Sequence, residues 1–76
     1  MPYLNTGFCY IQLRKFDSAI VYLQKVAAID PNYPSINKYI ALSYLETGNT
    51  AAARKYESME QKNNPQFKLN NTAIAN

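Results

Sequence analysis

The sequence predicts an all-α fold, an α-solenoid of antiparallel helix-turn-helix units. Three observations carry that prediction. Apolar residues recur at three- and four-residue spacing through most of the chain. No apolar–polar alternation of the kind a strand needs persists anywhere. Like residues recur 34 positions apart, in the pairs Tyr10/Tyr44, Ala19/Ala53, Tyr22/Tyr56 and Pro31/Pro65, with Gly7/Ala41 as a small-residue pair at the same offset.

Each helix has its own signal. The first, over about 3–13, carries Tyr3, Gly7 and Tyr10 on one stripe with Leu4, Phe8 and Ile11 beside it. The second, over 16–29, carries Phe16, Ala19, Ile20, Leu23, Val26 and Ala27. The third, over 35–47, carries Ile36, Ile40 and Tyr44, with Leu42 and Leu45 on the neighbouring stripe. The fourth, over 50–62, carries Ala52, Ala53, Tyr56 and Met59. A fifth is expected at about 67–75.

The breaks between them have mechanisms. Asp30 and Asn64 each precede a proline, which pushes them out of the helical region and ends the second and fourth helices. Gly48 follows the third helix, where a left-handed residue is wanted. Asn49 can accept a hydrogen bond from the free amides of the fourth helix. The Arg14-Lys15 turn has no glycine, so a left-handed Arg14 would carry a strain of roughly 1 kcal/mol.

Composition removes several function classes. Cys9 is the only cysteine and there is no histidine, so an internal disulfide, a Cys/His zinc site and Ser-His or Cys-His catalysis are excluded within this chain. The carboxylates Glu57 and Glu60, three apart on one helix, read as a solvated face rather than an acid–base pair. Cys9, between Phe8 and Tyr10, reads as a buried structural thiol. No glycine-rich phosphate loop occurs, and no apolar stretch approaches a membrane span. No signal peptide is visible at Met1-Pro2-Tyr3, so a cytoplasmic location is the default. The net charge of +3 is modest. The pairs Arg14-Lys15 and Arg54-Lys55 are interrupted by Asp17, Glu57 and Glu60, which disfavours a nucleic-acid surface. Asn70-Asn71-Thr72 matches a glycosylation acceptor pattern and reads as coincidence.

With these residues in place, the chain resembles the tetratricopeptide repeat family. The first repeat reads Tyr3, Thr6-Gly7, Tyr10, Ala19, Leu23, Pro31; the second reads Asn37, Ile40-Ala41, Tyr44, Ala53, Glu57, Pro65. The resemblance covers about 2–66. It implies one domain over 1–76 in a right-handed stack, with repeat 1 at about 2–34, repeat 2 at about 35–67, and a capping helix or partial third repeat at 68–76. The departures are Thr6 for a leucine, Asn37 for an aromatic, and polar Thr50, Glu57 and Glu60 at apolar or small positions. Glu57 and Glu60 normally meet a following repeat, so the stack is expected to end here or to be covered unusually.

The resemblance also implies a non-catalytic role without cofactor or metal, in which the first helices line a concave groove that receives a peptide or helical segment of another protein. On those helices Asn5, Gln12 and Lys38 would position a partner, while Phe8, Tyr39 and Leu42 would bury apolar area. Leu4, Ile11 and Leu45 are expected to serve the core. The carboxylate-clamping variant of such grooves is not supported, because Phe8, Tyr39 and Leu42 stand at several of its positions. The alternative is self-association through exposed apolar repeat surfaces, either the ends of the short stack or this groove, giving a homodimer.

Overall fold

A computed structural model describes residues 2–69, whose regular structure consists of four helices. These are α1 (Pro2–Gln12), α2 (Phe16–Ile29), α3 (Ile36–Glu46) and α4 (Thr50–Gln61). All four match helices read from the sequence, with no end shifted by more than one residue. The expected fifth helix lies largely outside the described residues; Phe67, Lys68 and Leu69, which are described, are not helical.

The 34-residue period extends to the backbone hydrogen bonds. At the end of α1, Lys15 N donates to Tyr10 O at 2.8 Å, and Arg14 takes φ 59°. At the end of α3, Asn49 N donates to Tyr44 O at 3.0 Å, and Gly48 takes φ 86°. These are the same left-handed helix stop, in which one residue with positive φ lets the chain fold back over the last turn. Glycine fills it without strain in the second unit; arginine fills it with strain in the first. The turns after α2 and α4 repeat as well. Tyr33 N donates to Asp30 O at 3.0 Å, and Phe67 N to Asn64 O at 2.9 Å.

Close helix approach follows from small residues. A Cβ added to Gly7 would stand 3.0 Å from Leu23 Cδ2 and 3.1 Å from Leu23 Cγ. Gly7 thus lets α1 settle against α2. Ala41 and Ala53, the counterparts of Gly7 and Ala19, are fully buried between α3 and α4. The core runs through the middle of the stack: Leu4 of α1, Ala19, Leu23 and Val26 of α2, and Ile36 and Ile40 of α3. Burying each large aliphatic side chain contributes about 1.5–3 kcal/mol. Helix α2 therefore holds both neighbours, α1 on one side and α3 on the other.

Caps differ between the helices. Asn49 Oδ1 accepts from Ala52 N at 3.2 Å and caps α4, as its sequence position suggests. Ser35 at the start of α3 has φ 64° and makes no side-chain cap. The cap is supplied from elsewhere: Glu60 Oε1 of α4 accepts from Lys38 N at 3.3 Å.

Candidate functional site

The two first helices α1 and α3 lie beside each other, and their sequence-named residues fall into two groups. Phe8 and Tyr39 meet directly, with ring centroids 5.0 Å apart and planes at 70°. Edge-to-face contact of this kind places the positive ring edge on the negative face. Both rings are half-buried and rest against the core. Lys38, also half-buried, holds its ammonium 5.9 Å from the Tyr39 centroid. Leu42, one turn further along α3, leaves 36% of its surface in solvent. Asn5 and Gln12 are exposed on α1 on either side of Phe8. Leu4 lies in the core and Ile11 packs against it, as expected, while Leu45 is half-buried outside that cluster.

At one end of this surface, Arg14 reaches Glu46 Oε2 at 3.4 Å and ties the end of α1 to the end of α3. The arginine side chain is 76% exposed, so the pair contributes little to stability. An open depression of about 460 Å³ lies near it, lined by Arg14, Lys15, Phe16, Asp17, Ser18 and Thr47. It mixes both charge signs and stands apart from Phe8, Tyr39 and Leu42.

Two sequence expectations are corrected. Glu57 and Glu60 do not form a solvated face. Glu60 is only 4% exposed, because its carboxylate turns inward to the first amides of α3. There the partial positive charge of the helix start favours an anion. Glu57 is covered by the chain that follows α4: its Oε2 accepts from Leu69 N at 2.6 Å, and Arg54 pairs with its other oxygen at 3.6 Å. Gln61 Nε2 donates to Phe67 O at 2.8 Å on the same side. A polar helix face is thus covered by polar contacts to a strap of backbone, where an apolar helix would otherwise pack. Cys9, expected inside, is exposed. Its flanking apolar residues turn to the interior, and the helical period carries the intervening position outward.

A feature the sequence pairs only hinted at is a repeated tyrosine stack. Tyr10 and Tyr22 stack at 5.6 Å and 26°, and Tyr44 and Tyr56 at 5.7 Å and 23°. Gln24 of α2 donates to both hydroxyls of the second pair, 2.9 Å to Tyr44 and 3.3 Å to Tyr56. Lys25 sits 4.9 Å above the Tyr22 ring and 5.2 Å above that of Tyr3. The 34-residue recurrence of tyrosines at 10/44 and 22/56 was the available signal. Which rings would stack depended on the helix crossing, which spacing alone does not specify.

Among the described residues no cluster of His, Cys, Asp and Glu could hold a metal ion. No described helix is long and apolar enough to cross a membrane. A family model described as Tetratricopeptide repeat matches residues 10–56. Searches of curated proteins and of solved structures find no match.

Proposed function

The chain belongs to the tetratricopeptide repeat family, whose members generally mediate protein–protein interaction, and from that premise we propose that it binds a peptide or helical segment of another protein across α1 and α3. The observation that carries the reading is the Phe8–Tyr39 contact at 5.0 Å. It joins the two first helices into one apolar ridge, which Leu42 continues into solvent. A partner side chain laid there gains apolar burial at about 25 cal/mol per Å². Asn5, Gln12 and Lys38 flank the ridge with donors and acceptors that would fix its register. The role is non-catalytic: complementarity on a scaffold whose helices are already packed. Nucleic-acid binding lacks support, since Arg14 pairs with Glu46 and Arg54 with Glu57.

The test begins with sedimentation equilibrium of the 76-residue chain over a wide concentration range. A monomer at all concentrations leaves the ridge for a partner, and a peptide library is then screened on the wild type and on Leu42→Glu. Loss of capture by Leu42→Glu, with fold and mass unchanged, supports the reading. A concentration-dependent dimer that Leu42→Glu dissociates would replace it with self-association through the same residues.

A further inference from the structure

Of the eight lysines and arginines in the sequence, Lys38 alone is half-buried and the others are exposed. Its ammonium stands 5.9 Å from the Tyr39 centroid, beside the ridge that Phe8, Tyr39 and Leu42 form. The five carboxylate side chains of the sequence all lie among the described residues, and none pairs with it. Glu60 turns inward onto the backbone amide of Lys38, not onto its ammonium. Glu57 is held by Arg54 and by the amide of Leu69. Asp30 accepts from Asn32 N at 3.1 Å, and Asp17 lines the depression with Arg14 and Lys15. Glu46, two turns beyond Lys38 on α3, is neutralised by Arg14. The ridge therefore carries one uncompensated positive charge, and it sits at Lys38.

We propose that Lys38 determines which segments this surface accepts, and that the bound segment carries an aspartate or glutamate side chain opposite it. This rests on the reading of α1 and α3 as a peptide-binding surface. Lys38 and Leu42 are four residues apart on one helix face, about 6 Å along its axis, so the acid stands about that far from the side chain resting on Leu42. A segment laid over the Tyr39 ring takes further water from an ammonium that is already half-buried. A neutral side chain in that place leaves the charge unpaired and offsets the gain from apolar contact. A carboxylate restores a charge-assisted hydrogen bond. Lys38 thus works as much by penalising neutral and basic segments as by holding acidic ones. The acid is a side chain of the segment and not its C-terminus, because Asn5, Phe8 and Gln12 of α1 supply no second cation to clamp a terminal carboxylate.

The probe is a library of random peptides of about ten residues, blocked at both ends and panned on the 76-residue chain, on Lys38→Met and on Lys38→Glu. Lys38→Met keeps the apolar stem over Tyr39 and removes the charge, and circular dichroism checks both folds. Wild-type binders are expected to share an Asp or Glu near an apolar anchor. Converting that acid to its amide should weaken binding about five- to tenfold in the wild type. The same conversion should change nothing in Lys38→Met, and binders of Lys38→Glu should carry Lys or Arg in place of the acid. A purely structural lysine would not reverse the preference. Wild-type binders without an acidic preference, or an equal loss in Lys38→Met, overturn the proposal and leave the docking reading standing. Binders found only in a parallel library with free C-termini overturn the assignment to a side chain. If no peptide binds, or a dimer closes the ridge, the docking reading and this proposal fall together.

Discussion

Gln24 and Tyr44 meet at 2.9 Å across the boundary between the repeats, and the same amide reaches Tyr56 at 3.3 Å. One side chain of α2 thereby holds α3 and α4 together at their tyrosine stack. The contact is partly buried, so its loss leaves polar atoms with reduced access to water.

Gln24→Leu should therefore destabilise the fold by about 1–2 kcal/mol, and Tyr44→Phe by about 1 kcal/mol. Because the two share one bond, the double variant should lose less than the sum, with a coupling of roughly 1 kcal/mol in urea denaturation. Strict additivity would mean the bond contributes nothing to the joint.

Arg14 and Gly48 occupy the same helix stop with φ 59° and 86°. Arg14→Gly should raise stability by about 0.5–1 kcal/mol, even though it removes the exposed pair with Glu46. Gly48→Ala should lower it by about 1 kcal/mol. Nothing else lies within 4 Å of a Cβ at Gly48, so that loss would isolate backbone strain from packing. The midpoint of thermal unfolding reports both.

At Gly7 the balance of propensity and packing reverses the usual benefit of alanine. Alanine is favoured over glycine within a helix by about 1 kcal/mol. The new methyl would meet the fully buried Leu23, whose side chain would have to shift within the packed core. Overpacking of this kind costs about 1–3 kcal/mol, so Gly7→Ala should be net destabilising. Combining it with Leu23→Ala should recover part of the deficit, measurable as a double-mutant cycle. A stabilised Gly7→Ala would show that α1 shifts freely over α2.

Glu60 acts as the missing cap of α3. Glu60→Ala should cost about 1–2 kcal/mol, within the range of N-cap losses. Glu60→Gln keeps an acceptor for Lys38 N and gives up only the charge, so it should cost under about 1 kcal/mol. Amide exchange at Lys38 should quicken in Glu60→Ala more than in Glu60→Gln.

Much of this architecture was legible because its causes are local. The apolar spacing in α2, the cap at Asn49, the left-handed stop at Gly48 and the 34-residue recurrences all act within a few residues or by direct repetition. Even the strained Arg14 followed from the lack of glycine in its turn. What escaped depends on contacts between distant segments. Glu60 looked solvated because its partner, the amide of Lys38, is 22 residues away. Glu57 is covered by Leu69, and no pattern in α4 announces that strap. Cys9 lay among apolar neighbours, but helical phase put it outside. On the interaction surface, the stripes of Phe8 and Tyr39 were readable from each helix alone. Their contact required the relative placement of α1 and α3.

The position of α2 bears on how the molecule comes apart. Helices α1 and α4 each pack mainly on one neighbour, so either can fray by giving up a single joint. Helix α2 is clasped by α1 on one side and by α3 on the other, with Gln24 extending the grip to α4. The amides at its buried positions are freed only when both joints open, which here is close to global unfolding. Slow hydrogen exchange should accordingly concentrate at Ala19, Ile20, Leu23 and Val26 and decline toward both ends of the stack. This gradient leaves the outer helices the freer to adjust around an incoming chain, while the centre keeps their spacing.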